Sequence, residues 1–227
     1  MSESQSKRKV KLDLKKRKIR AFFLSIETKK KKKVEIDKEA EDLYQDGMVY
    51  IQMRLPVERI TKDFEEKLKD KIEHNIIKAK IRVATDSDLE TLKNIYNRAW
   101  LLSNTPYRPI TKTDLKKILD YPDTVFLIAK VYGIDAAFVL LDFEGKNKEI
   151  AVIAALAVIP RFQRKGVGTI IGMSAWNFLK QNYSNVKEIR AEVYKDNFVS
   201  YSFIKGIGFE EFDKKVYKKE DFEVSQD

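Results

Sequence analysis

One stretch constrains the fold more than any other: Leu156-Ala157-Val158-Ile159-Pro160-Arg161-Phe162-Gln163-Arg164-Lys165-Gly166-Val167-Gly168-Thr169. An apolar strand pattern runs into a basic turn punctuated by glycines, and the turn opens straight into a helix pattern. Helix starts leave backbone N–H groups unpaired and carry partial positive charge, and glycines let an anion approach those amides closely. Two cations, Arg164 and Lys165, placed at the positive end of a helix dipole cost a few tenths of a kcal/mol unless an anion offsets them. The pattern therefore reads as a phosphate cradle. The plainer alternative is that Gly166 and Gly168 only permit a tight joint between strand and helix.

Composition narrows the chemistry that could accompany such a cradle. The chain has 227 residues, no cysteine and one histidine, His74. Disulfides, thiol catalysis and multi-histidine metal sites are thereby excluded, and no metal site is expected. No apolar run reaches transmembrane length, and the lysine-rich N-terminus has no apolar signal core, so a cytoplasmic protein is expected. The net charge of +10 is concentrated: residues 1–33 hold 14 Lys and Arg against Glu3, Asp13 and Glu27, which leaves the remainder nearly neutral. The basicity belongs to a tail. Residues 7–33 read either as a solvated arm or as a segment that contacts the phosphates of RNA, DNA, ribosome or an acidic lipid surface, binding that would weaken steeply with salt.

Along the chain, Ile19–Ile26 and Met48–Leu55 have strand patterns, with the cationic run Lys29–Lys33 between them. Phe64, Leu68, Ile72 and Ile76 recur every four residues behind Thr61, a good N-cap, and mark an amphipathic helix that must pack on something. His74 falls off that stripe. Residues 1–79 are read as an N-terminal basic extension and residues 80–227 as the main domain. The latter begins with a strand at Ile81–Ala84 and a helix carrying Leu89, Leu92, Ile95, Tyr96 and Ala99, capped by Asp86 or Ser87. Next come a short helix through Leu119 and paired strands at Val125–Tyr132 and Ala136–Phe143. A nearly all-apolar strand, Glu149–Ile159, precedes the turn, and a helix over Lys165–Gln181 follows it. A strand at Glu188–Tyr194, a helix at Asn197–Lys205 and a last strand at Lys214–Lys219 complete the order.

The spacing Gln163-x-x-Gly166-x-Gly168, after a strand ending in Val158-x-Pro160, resembles motif A of the GNAT N-acetyltransferase superfamily. Asn197-x-x-Ser200-x-x-Phe203-x-x-Gly206-x-Gly208-Phe209 is similar to a second segment of that family, and the resemblance covers roughly residues 80–220. It implies an α+β fold, a mixed central sheet flanked by helices, here with the basic N-terminal extension. It also implies acetyl-CoA as co-substrate. The backbone amides of Gln163, Arg164, Lys165, Gly166, Val167 and Gly168, with the Thr169 hydroxyl, would surround its pyrophosphate. The pantetheine arm would lie along Leu156 to Val158 through main-chain hydrogen bonds. Asn197 would contact this arm or order the turn, and Phe203 would pack on the core or near the adenine.

For the transfer itself, the resemblance implies a carboxylate base, and Glu192 resembles the one in the branch that acetylates ribosomal-protein N-termini. From the residues alone Glu192 is equally a salt-bridged strand carboxylate. Glu149, at the outer end of the central strand, is a second candidate. The position where some lysine acetyltransferases carry their base is Val152 here. The usual proton donor to the leaving thiolate, a tyrosine seven residues after the asparagine, is replaced by Ile204. Tyr194 and Tyr201 are the substitutes, and release of a solvated thiolate is a third route. A backbone N–H near Val158 would meet the oxyanion.

Trp100, Tyr107 and Arg108 fall in the loop expected to border the acceptor groove. Deprotonating a lysine amine at pH 7 costs about 4 to 5 kcal/mol, against ~1 kcal/mol for an N-terminal α-amine. The expected function is acetyl transfer from acetyl-CoA to a primary amine of a protein N-terminus, a lysine or a small molecule. The alternative is a CoA-binding sensor or adaptor whose basic arm contacts nucleic acid or ribosome.

Overall fold

The computed structural model describes residues 47–74, 77–103 and 109–217. The expected strand at Ile19–Ile26, the basic stretch 7–33, and Ile76, Tyr107 and Arg108 lie outside these. Among the described residues, seven strands form one sheet: β1 (Met48–Pro56), β2 (Ala79–Val83), β3 (Thr124–Val131), β4 (Ile134–Glu144), β5 (Ile150–Val158), β6 (Glu188–Tyr194) and β7 (Glu210–Tyr217), in the order β2-β3-β4-β5-β6-β1-β7. Only β5 and β6 are parallel; every other neighbouring pair is antiparallel. The α-helices among the described residues are α1 (Lys62–Glu73), α2 (Leu89–Trp100), α3 (Lys112–Leu119), α4 (Val167–Asn182) and α5 (Phe198–Gly206). The architecture is thus α+β, a mixed sheet flanked by helices.

Burial explains why the middle strands carry so few polar residues. Ala136 to Phe143 on β4 are buried without interruption, which requires cover on both faces of the sheet. That cover comes from two helical groups, α2 with α3 and α4 with α1, and both α2 and α4 pack on β4. Local sequence accounts for the helix starts. Thr61 accepts from the Phe64 N–H at 3.2 Å, Thr111 and Asp114 form a reciprocal capping box, and Asn197 accepts from the Ser200 N–H at 3.0 Å. The expected cap of α2 at Asp86 or Ser87 is corrected: Thr85, one residue before Asp86, forms the box with Asp88 around the 3-10 turn that precedes α2. The last strand begins at Glu210 rather than Lys214.

The N-terminal strand is the largest departure from expectation. β1, read from sequence as part of an extension over residues 1–79, is an interior strand paired with β6 on one side and β7 on the other. A boundary at residue 79 would therefore cut through the sheet. Helix α1 docks as its apolar stripe predicts. Glu65 accepts from the Trp176 indole at 2.7 Å and from Lys180 at 2.6 Å, both on α4, and the ring of Phe64 closes on Gly208. A Cβ at Gly208 would stand 2.7 Å from that ring, so the glycine there serves α1 packing as well as its own positive φ of +99°.

Candidate active site

β5 and β6 run side by side only from Ile150↔Glu188 to Ile153↔Ala191 and then part. The cause lies on the other edge of β5, where the register with β4 shifts so that Leu141 pairs with Ile153 but Leu140 with Ala155. Ala154 is the extra residue of a bulge, and a bulge bends its strand. Beyond it, Ala154 to Val158 expose an edge with no strand partner on the β6 side. The gap is a cleft of about 600 Å³ lined by β5, β6, α5, the end of α2 and the turn before α4.

At one end of the cleft the turn has the conformation its glycines suggest. Arg164 (φ 57°) and Gly166 (φ 76°) are both left-handed, which folds the backbone back and turns successive N–H groups inward. Gly166 is the N-cap of α4 and has no side chain to occupy the first amides, and the first turn carries no acid. Thr61, Thr111 and Asn197 fill that role at their own helices, so α4 alone of these is left open. Among the described residues, no hydrogen bond satisfies the amides of Arg164, Gly166, Val167, Gly168 and Thr169. Five unsatisfied donors at a helix start, at the mouth of a cleft, fit a pyrophosphate.

Three of the expected cradle residues take narrower parts. Gln163 does not donate into the cradle; its N–H is bound to the Pro160 carbonyl at 3.1 Å and its side chain donates to the Val158 carbonyl at 2.8 Å, tying the turn to the end of β5. Val167 buries its side chain in the core and offers only its amide. Lys165 is exposed and lies outside the cleft lining, whereas Arg164, also exposed, lines it. Leu156, Val158, Gly168, Thr169, Asn197 and Phe203 all line the cleft. Gly168 has a further reason to lack a side chain, since a Cβ there would sit 3.2 Å from the Phe203 ring.

The other end of the cleft holds Glu192 and Tyr194, which project from the same face of β6. Glu192 accepts a hydrogen bond from the Tyr217 hydroxyl at 2.7 Å. Burial, and after it the Asp196 carboxylate, pushes the Tyr194 phenol above its ordinary value of 10. Tyr50 of β1 also lines this end, its ring 5.5 Å from that of Tyr194 and 5.7 Å from that of Tyr217. Trp100 lines the cleft from the end of α2, stacked on Tyr96 at 4.4 Å. Ile204 is buried against the cleft where the resemblance would place a tyrosine, so no proton comes from that position.

Two expected candidates stand elsewhere. The Tyr201 hydroxyl is bound to Glu211 and to Lys205, outside the cleft lining, because its helical position turns it toward β7. Glu149 closes the β4–β5 turn: its carboxylate accepts from the Asn147 N–H at 2.9 Å, and such backbone bonds lower its pKa. It precedes the first residue of β5, roughly 30 Å along the strand from Val158 at ~3.3 Å per residue. Tyr50 and Tyr217 were not anticipated. The former lay in the supposed extension, and nothing in a lone tyrosine near a chain end signals a carboxylate partner two strands away.

The acetyltransferase (GNAT) family model matches residues 89–209, more than half of the chain. The chain belongs to the GNAT acetyltransferase family. It is accordingly an acyl-CoA-dependent N-acyltransferase, and acetyl-CoA is the family's donor. Similar solved structures include the PaiA N-acetyltransferase from Thermoplasma acidophilum in complex with coenzyme A, at 23% identity over 62% of this chain and 99% of that one, with a TM-score of 0.52. A possible acetyltransferase from Clostridium difficile 630 is 20% identical over 62% and 95%, with a TM-score of 0.51. The aminoglycoside 6'-N-acetyltransferase AAC(6')-IG from Acinetobacter haemolyticus is 20% identical over 61% and 95%, with a TM-score of 0.50. At these identities the likeness is one of fold. No curated relative matches the chain in sequence.

Proposed function

We propose that this GNAT protein moves an acetyl group from acetyl-CoA to a primary amine delivered at the Glu192 end of the cleft. When bound, acetyl-CoA supplies the acetyl thioester, whose C–S bond breaks as the N–C bond to the acceptor forms. Arg164, Gly166, Val167, Gly168 and Thr169 would hold the pyrophosphate through their amides, and the bare edge of β5 would align the pantetheine arm. Glu192 takes the proton that the attacking amine sheds. Tyr194, kept protonated by burial, supplies the proton that the departing sulfur needs. A backbone N–H near Val158 meets the oxyanion.

The observation that carries this reading is the presence, in one cleft, of the unsatisfied amides of Arg164, Gly166, Gly168 and Thr169 together with a carboxylate, Glu192, that accepts from the Tyr217 hydroxyl. The test is acetyl transfer over a panel of amines, with CoA thermal stabilisation measured in parallel. Stabilisation with turnover supports an enzyme; stabilisation with no turnover on any amine supports the sensor reading and overturns this one. We also infer that residues 7–33 contact polyanions independently of the cleft. Binding of a DNA or RNA duplex by the full chain should fall steeply with salt, and loss of residues 1–33 should abolish it while leaving transfer intact.

A further inference from the structure

The family match ends at residue 209 and begins at residue 89, yet one residue lining the cleft, Tyr50, comes from outside it. Tyr50 of β1 lines the Glu192 end, and Tyr217 of β7 reaches over β1 to hydrogen-bond the Glu192 carboxylate. Glu192 is the one carboxylate among the described lining residues, and the one guanidinium, Arg164, stands at the cradle end. Of the other carboxylates on β6 and β7, Glu188 is engaged with Arg190, Glu210 with Arg54 and Arg59, Glu211 with Tyr201, and Asp213 with the Lys214 N–H. The lining is mostly apolar and aromatic, with Ser103, Gln163, Thr169, Asn197 and Ser200 as uncharged polar members. Among the lining residues, Leu102 is 70% and Val199 65% exposed.

We infer that the acceptor is a monoamine whose single ammonium is carried on an apolar or aromatic body, and that Tyr50 and Tyr217 select it. This rests on the acetyl-transfer reading of the cleft. One carboxylate matches one ammonium, and the Tyr50 ring in the lining adds a negative π face that favours a cation, whereas the Tyr217 ring already has the Lys215 ammonium 4.4 Å from its centroid and serves through its hydroxyl. A second or third ammonium of a polyamine or aminoglycoside would find no second carboxylate among the described lining residues, and desolvating an unpaired charge is costly. The exposed leucine and valine of the lining instead cover an apolar body. Tyr217 acts as a positioning residue: its hydroxyl holds the Glu192 carboxylate toward the cleft, and Tyr50 forms the floor.

The experiment compares phenethylamine, spermidine and kanamycin with the full-length protein, by transfer from acetyl-CoA and by calorimetric binding to the protein saturated with CoA. Phenethylamine should exceed both polycations in kcat/KM by about a hundredfold and should bind the CoA complex measurably. Tyr217→Phe and Tyr50→Leu should raise the KM for phenethylamine about tenfold with the KM for acetyl-CoA unchanged, a split that a general loss of structure would not produce. Equal or better use of spermidine or kanamycin overturns the inference, as does phenethylamine binding indifferent to both substitutions. Binding that depends on Tyr217 without turnover on any amine supports the acceptor pocket and overturns the transfer reading instead.

Discussion

Glu192 and Tyr194 sit two residues apart on β6, roughly 7 Å along the strand, close enough for one to take a proton while the other gives one to opposite sides of a reacting carbonyl. Glu192→Gln keeps the shape and removes the proposed base, so kcat/KM should fall by about 10² to 10⁴, measured with CoA binding unchanged. Tyr194→Phe should lower kcat by roughly 10 to 100-fold, less than the base because a solvated thiolate can leave unaided. Since the Tyr194 phenol lies above 10, it stays protonated through the neutral and mildly alkaline range. A kcat profile flat to about pH 9 is expected. A decline below that, abolished in Tyr194→Phe, would contradict the assignment. Tyr201→Phe, whose hydroxyl faces Glu211 and Lys205, should leave kcat within about twofold of wild type, as expected for a side chain away from the chemistry.

At the level of elements, the contact between α1 and α4 supplies a pH signature. Hydrogen bonds from Lys180 and then from Trp176 hold the Glu65 carboxyl below its ordinary value of 4.5. Its stabilising effect is therefore present above about pH 4.5 and lost as pH falls through the lower folded-state value. Lys180 is partly exposed, which limits the pair to about 1 kcal/mol or less. Thermal melts of wild type and Glu65→Gln should differ by a few degrees at pH 7 and converge near pH 3. Gly168→Ala at the α4 start tests a different contact. The added methyl presses on Phe203 at 3.2 Å and costs about 1 to 3 kcal/mol of overpacking, and it should weaken CoA binding as well as stability. Both effects are readable in one thermal titration with CoA.

The same elements show what a sequence can and cannot disclose. β6 at Glu188–Tyr194 and the strand–turn–helix of β5 and α4 were legible, because apolar periodicity and glycine spacing are local properties. The bulge at Ala154 was not, for an alanine in an apolar run carries no mark of being unpaired. The place of β1 was hidden for a related reason. An alternating strand declares a half-buried face, but its partners, Tyr194 and Lys215 opposite Tyr50, are separated from it by more than half the chain. Tyr217 was missed as a consequence, since its link to Glu192 exists only after β1 is seated between their strands. Glu149 and Tyr201 had the right chemistry and the wrong direction, which strand ends and helix faces decide in three dimensions.

For the molecule as a whole, β1 makes the N-terminal part of the sheet inseparable from the rest. Removal of residues 1–56 takes an inner strand from between β6 and β7 and should abolish the cooperative melt, while removal of residues 1–33 should preserve it, as circular dichroism can check. The order of assembly carries a further implication. Tyr50 is made early, yet its partner Tyr194 is polymerised more than 140 residues later, and Lys215 later still. At about 5 to 20 residues per second the nascent strand waits roughly ten seconds or more before its slot exists. The first of the described strands to be synthesised is among the last to be seated, so the surroundings of Glu192 can close only once the chain has been made through Tyr217.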